Sequence, residues 1–292
     1  MGKLIQQLIT GLSIGGIYAL LAVGYALIYS IYDFTNFAFG SIMMMGSFGC
    51  LFAINFFGFP IWTAVLMVLL FSIVTSLIAD QVAYKPMRNK GSSRLTLMIA
   101  AMGVDTFLTN IMTAFFGGNI RQVKYKWPIT TLQLGPAKVG FIDILCFASA
   151  LVILLILWYF LEKTLFGVAI RASAFDTRTA GLMGVNTNTI AMIVFAISGV
   201  CAGIAGFFHG FKYAVYPSMG GIATKAFIAS VIGGLGSLEG AVVGGLLLGI
   251  LETMIAGYLS STYRDLFSYT ILIVVLLFMP YGLLGKNRKE KS

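Results

Sequence analysis

The chain is poor in charge, in histidine and in any motif that would let it work alone. Asp, Glu, Lys and Arg make up 10% of its 292 residues, and hydrophobic residues make up 59%. A soluble domain carries roughly a quarter of its residues charged, so none of ordinary composition fits here. Histidine occurs once and no H-E-x-x-H is present, which removes the helical zinc-hydrolase arrangement. No G-x-x-x-x-G-K-[ST] occurs, which removes a P-loop ATP site. Cys50, Cys146 and Cys201 stand singly in apolar stretches. They read as small buried side chains, not as a disulfide or metal framework. The net charge of +9 does not indicate nucleic-acid binding. Its Lys and Arg lie at the ends of apolar runs, as charges that orient a membrane protein do, and are not clustered with stacking aromatics.

What is abundant is hydrocarbon. Apolar runs occupy Leu4–Ile31, Phe37–Phe57, Ile61–Ala79, Leu95–Phe116, Ile142–Leu161, Thr189–Phe208, Ala226–Leu238, Ala241–Ser261 and Leu266–Leu284. A bilayer crossing needs about 20 residues, and all but Ala226–Leu238 approach that. The first run follows Lys3, is too long for a signal-peptide core and lacks a cleavage pattern, so it reads as a span. The short run ends in Gly233-Gly234-Leu-Gly236-Ser237, whose freed backbone groups need shielding by protein or a cavity to line. This predicts an all-α, polytopic transmembrane bundle of eight or nine spans, one short or re-entrant, forming a single membrane domain over 1–292. Small residues four apart (Gly11, Gly15 and Ala19; Gly199 and Gly203; Gly206 and Gly210; Gly236, Gly240 and Gly244; Gly245 and Gly249) predict ridges of close helix contact.

One polar island interrupts the spans. Thr164–Thr187 has a helix–turn–helix pattern rich in small residues, suited to lie at the membrane surface and face a soluble partner. Placing it in the cytoplasm puts Lys85, Arg88, Lys90 and Arg94 of the Gln81–Arg94 loop there too, with the tail Lys286–Lys291 and its four cations. The N-terminus is then outside and the C-terminus inside. Asp105 and Glu252 are the carboxylates within spans, where ionisable groups are functional by default. Two are few for a proton- or sodium-coupled carrier, and Glu252 is expected to satisfy a bundle contact. Lys212 and Lys225, at span ends, are expected to snorkel. Ser198 and His209 could suggest a hydrolytic dyad, but about 16 Å separates them along one predicted helix.

Several segments together carry a family resemblance: Gly11-Leu-Ser-Ile-Gly-Gly-Ile-Tyr18, Asn36-Phe-Ala-Phe-Gly40, Val82-Ala-Tyr84-Lys-Pro86-Met-Arg88, Arg171…Asp176…Ala180…Gly184-Val-Asn186, Lys225-Ala-Phe…Gly233-Gly-Leu-Gly-Ser237…Gly240, and Met279-Pro280-Tyr-Gly. The chain resembles, nearly end to end, the Liv-type permease subunits of branched-chain amino-acid ABC importers, and the H-type more than the M-type. It departs from them at Phe39, where the family commonly carries His, and in lacking the acidic residue of the general coupling motif that Ala180 and Gly184 otherwise fit.

The resemblance implies a permease of the bacterial or archaeal plasma membrane that works by alternating access and holds no cofactor. ATP and magnesium would sit on two separate P-loop ATPase subunits. A related permease chain would complete a heterodimer, and an extracytoplasmic amino-acid-binding protein would deliver the cargo. Arg171, Asp176, Arg178, Ala180, Gly184 and Asn186 would couple to the ATPases. Asn36, Phe37, Gly40 and Ser41, with Gly233, Gly234 and Ser237, are the expected pathway lining. Urea-like or amide solutes, or an ATP-independent carrier, are the alternatives.

Overall fold

The computed structural model describes residues 2–125, 127, 130–134, 137–279 and 281–285, and the tail Lys286–Lys291 lies outside them. The chain is helical, and eight helical stretches are long and apolar enough to cross a membrane. Its first helix, α1 (Gly2–Tyr32), is apolar on every face and buried almost continuously from Gly11 to Ile31, as a helix without a polar stripe must be. Around it pack α6 (Phe141–Lys163), α9 (Thr187–Lys212), α10 (Ile222–Gly233) and α11 (Leu238–Tyr258). Next to α9 lie α2 (Phe39–Leu51) and α3 (Ile61–Ala79). The helices α5 (Arg94–Phe116) and α12 (Arg264–Phe278) stand at the periphery with broad exposed apolar faces.

The predicted ridges of small residues face each other. A side chain on Gly15 would meet the Leu246 backbone at 2.9 Å, and one on Gly249 would meet the Gly15 backbone at 2.3 Å. The seam between α1 and α11 is thus backbone against backbone. Gly199 and Gly203 sit against Ser72 and Ser76 of α3, and Gly206 against Met43 and Ser47 of α2. Serine hydroxyls fasten these contacts, Ser76 to the Phe195 carbonyl at 2.7 Å and Ser47 to the Gly206 carbonyl at 2.7 Å.

Three sequence expectations need correction. The stretch Gln81–Arg94 is not a loop. α3 runs on through a π-helical turn (Asp80–Tyr84) into α4 (Lys85–Asn89), and Arg88 pairs with the fully buried Asp80 at 2.5 Å. The five-residue turn brings these side chains, eight apart in sequence, into contact. Lys212 and Lys225 do not snorkel, because carboxylates wait inside the bundle. Lys212 pairs with Asp143 at 2.5 Å and donates to Ser13 at 2.8 Å. Lys225 lies 3.1 Å from Glu252 and 2.7 Å from Asp265. A hairpin of β1 (Thr131–Leu134) and β2 (Ala137–Gly140), antiparallel with Thr131 opposite Gly140, was not foreseen.

The short run Ala226–Leu238 is resolved into helix and turn. α10 covers twelve residues, about 18 Å at 1.5 Å per residue and short of a hydrocarbon core of about 30 Å. The preceding irregular segment makes up the length. Val215 bridges Arg121 at one end, the 3-10 turn Pro217–Gly221 crosses α2, and the α10 carboxyl end bonds Leu283 and Leu284 at the other. The chain between α9 and α11 is therefore a discontinuous ninth pass, irregular in one half and helical in the other.

Candidate functional site

Three places concentrate the polar chemistry of the bundle. At the polar island, local capping explains the fold. Thr164 caps α7 (Leu165–Phe175) by accepting from the Gly167 amide at 3.1 Å. Asp176 caps α8 (Thr177–Leu182), accepting from the Arg178 amide at 2.8 Å and the Thr179 hydroxyl at 2.5 Å. Asn186 caps α9, accepting from the amides of Asn188 and Thr189. Each side-chain oxygen satisfies amides that a helix start leaves open. Arg171 turns back to the Leu161 carbonyl and to Glu162, 3.2 Å away. Gly184, at φ 89°, ends the α8 turn in the left-handed region, which suits glycine.

The exposed face of the island includes Gly184 but not Ala180. Ala180 is 5% exposed and points into the fold. Large apolar side chains stand out instead: Phe175 is 86% exposed, with Leu182 and Met183 similarly bare. These three were missed because apolar residues in an apolar chain carry no signal; their placement at the C-terminal ends of α7 and α8 is the clue. Contiguous bare apolar surface marks an interaction site.

The second place is the start of α2. Residues 33–38 are irregular, with a turn at Phe37 and Ala38, yet largely buried, so α2 begins within the bundle. Asn36 accepts from the Tyr84 hydroxyl at 2.7 Å and from the Ala38 amide at 3.2 Å, while its own Nδ2 is buried without a partner. The Asp105 carboxylate faces the first turn of α2, interacting with the hydroxyl and backbone N–H of Ser41. That is the positive end of the helix dipole. Phe37 packs near Phe227 at 6.2 Å between centroids, and Gly40 lies against the Gly220 backbone. The other half of the expected lining is elsewhere. A side chain on Gly233 would meet the Gly240 carbonyl at 1.9 Å, and Gly234 packs on Gly285. Ser237 caps α11. Close backbone packing surrounds Gly233 and Gly234. Phe39, where the resembled family commonly has His, is wholly buried, its ring stacked into the space above Gly24 and 4.9 Å from that of Tyr25.

The third place surrounds Glu252, which is 1% exposed. Its carboxylate accepts from the Tyr18 hydroxyl at 2.8 Å and the Ser268 hydroxyl at 2.7 Å, and Lys225 lies 3.1 Å away. Both carboxylate oxygens have a partner, as a buried carboxylate requires. Next to it opens a cavity of about 370 Å³ between the ends of α9 and α12 and the start of α10. Ser198, by contrast, donates to the Gly24 carbonyl at 3.2 Å, and the ring of His209 lies 5.0 Å from that of Tyr213. The two share no site.

An all-helical, multi-pass bundle with an interrupting helix pair outside its spans is the architecture of a transporter membrane subunit. The chain aligns over 94% of its length with a chain of an inward-facing, metal-chelate-type ABC transporter, covering 87% of it at TM-score 0.56 and 16% identity. It also covers 96% of its own length and 93% of a chain in PsaBC from Streptococcus pneumoniae, at TM-score 0.53 and 13% identity. Residues 7–276 match the family described as branched-chain amino acid transport system, permease component, and the chain belongs to that family. It is 34% identical to the high-affinity branched-chain amino acid transport system permease protein BraD of Pseudomonas aeruginosa, over 98% of this chain and 97% of the relative. LivH of Escherichia coli K12 is 35% identical over the same shares. The probable branched-chain amino acid transport permease protein LivH of Methanocaldococcus jannaschii is 32% identical over 93% of this chain and 89% of the relative.

Proposed function

We propose that this chain is the membrane subunit through which an ATP-binding-cassette importer moves branched-chain amino acids by alternating access. The observation that carries the reading is the exposed apolar knob of Phe175, Leu182 and Met183 on a helix pair outside the spans of a chain from this permease family. Two P-loop ATPases, holding ATP and magnesium, would cover that knob, and their closure would push α7 and α8. Movement would reach the spans through Arg171, tied to the end of α6, and through the Asn186 cap of α9.

A second permease chain would lie against α5. That helix presents Thr106, Asn110 and Thr113 on its exposed side, each bonded to a carbonyl one turn earlier. Such a polar stripe faces protein or water more readily than lipid. Asp105 and Ser41, beside the stripe, would then stand along a pathway shared by the two chains. An external binding protein would supply specificity, since one methylene in an apolar path discriminates by only about 1–3 kcal/mol. The N-terminus would be outside and the C-terminus in the cytoplasm of a bacterial or archaeal cell.

The test is reconstitution with the cognate ATPases and binding protein, followed by ATP-dependent uptake of leucine, isoleucine, valine and urea. Uptake of the three amino acids is expected, and uptake of urea alone would refute the substrate class. L182E combined with M183E should leave membrane insertion normal while the ATPases no longer co-purify. Retained co-purification with full uptake would place the ATPase contact elsewhere.

A further inference from the structure

The cavity beside Glu252 has features that packing within the bundle does not use. Its walls include His209, Lys225, Arg264 and Asp265, with Tyr18 and Tyr213. His209 is 5% exposed, and its Nδ1 is buried with no hydrogen-bond partner. The Nε of Arg264 is likewise buried and unpartnered, although Arg264 interacts with the Tyr213 hydroxyl. A buried polar atom without a partner costs about 1–3 kcal/mol, and these two lie just behind the wall of the one cavity. The 3-10 turn Pro217–Gly221 runs directly into α10 beside the same space, at Gly221 and Ile222.

The charge balance narrows the ligand. Lys225 and Arg264 face Asp265 and, behind Lys225, Glu252. With neutral His209 the sum is zero, but one cation, Lys225, is shared by two carboxylates, which leaves that cluster net negative with Arg264 as the other cation of the wall. Such a site repels a free cation or a free anion less than it welcomes a molecule carrying both charges. Met219 and Ile222 add apolar wall. The volume matches about a dozen waters at about 30 Å³ each, ample for a small amino acid.

We propose that this cavity binds the zwitterionic head of a neutral amino acid within one permease chain. The carboxylate lies at Arg264 and His209, the ammonium lies toward Asp265, and the aliphatic side chain lies against Met219 and Ile222. This deepens the transport reading and rests on it. It places a cargo site inside the chain, apart from the pathway that two chains would share along α5.

Ser218, an exposed wall residue, allows a direct test. The native cysteines are buried, so S218C in the full complex, held in phosphatidylcholine nanodiscs, reports on the cavity alone. Leucine should slow its modification by a small water-soluble thiol reagent several-fold. Isoamylamine, which lacks the carboxylate, should not. R264Q in the same background should raise the leucine concentration needed by at least about tenfold, and H209N serves if R264Q fails to assemble. An unchanged modification rate in a complex that takes up leucine would overturn the site and leave the transport reading standing. Slowing by phosphatidylglycerol in the nanodisc, with no effect of leucine, would overturn it in favour of a lipid headgroup. If the complex carries a different neutral amino acid, protection by that one supports the site while refuting only the branched-chain substrate.

Discussion

Two buried charge clusters lie toward opposite ends of this bundle, and they are built on different plans. Near the end of α1, Arg88 and Asp80 are closed in. The guanidinium lies 4.6 Å from the centroid of Tyr32 and 5.9 Å from that of Phe195, and Tyr84 stacks on Phe195 at 5.3 Å while holding Asn36. Toward the other end Lys225 is shared between Glu252 and Asp265 beside open space. The first cluster fixes where the chain turns from α1 into α2. The second holds charge ready next to a cavity. Burial of charge alone does not mark a site, nor do unspent donors, since Asn36 Nδ2 and Arg88 Nη2 are unpartnered in the closed cluster too; burial next to unfilled space is what differs.

The largest effect that could break this contrast is expected at Asp80. Asp80→Ala strands Arg88 in a dry aromatic cage and should cost about 3–5 kcal/mol, read as a lower unfolding temperature of the purified protein. A loss below about 1 kcal/mol would make the closed cluster no more structural than a surface pair. Glu252→Gln should cost less, about 2 kcal/mol, because the amide still bonds Tyr18 and Ser268 and Lys225 keeps Asp265. Uptake by that variant should persist with its pH dependence unchanged; a lost pH dependence would assign Glu252 a proton-carrying role. Tyr84→Phe removes one neutral hydrogen bond to Asn36 and should cost about 1 kcal/mol in the same unfolding measurement. Smallest is Asp265→Asn. Its side chain is 68% exposed, so the change in stability should stay within about 1 kcal/mol. A larger change would show that the second cluster is as closed as the first.

Much of the architecture could be read from residues alone. The spans announced themselves by length and hydropathy, with boundaries moved at both ends of α10, at the end of α12 and, most of all, by the π-helical continuation to Asn89. It escaped notice because Lys85, Pro86 and Arg88 look like loop residues when hydropathy is the guide, and a π turn has no sequence mark of its own. Glu252 was rightly expected to satisfy a bundle contact. The coupling face was less legible. Of the small residues that suggested a docking surface, Gly184 is exposed and Ala180 is buried, while Phe175, Leu182 and Met183 add bare apolar ground that hydropathy did not single out. The cavity was not legible at all, since His209, Lys225 and Arg264 are separated by long stretches of chain and belong to three helices.

By itself the sequence determined a helical membrane bundle, its polar island with caps at Thr164, Asp176 and Asn186, and the ridges of small residues on its helices. These depend on neighbours one or two turns apart, or on the solvent a whole segment can tolerate, so local order suffices. Tertiary structure alone decided that Gly15 meets Gly249, that Gly40 meets Gly220, and that Lys225 turns inward to Glu252. Where no hydrophobic force drives apolar helices together, partners are chosen by how closely two backbones can approach and whether each buried polar group is met. Both conditions are properties of pairs of surfaces, and no single helix contains them.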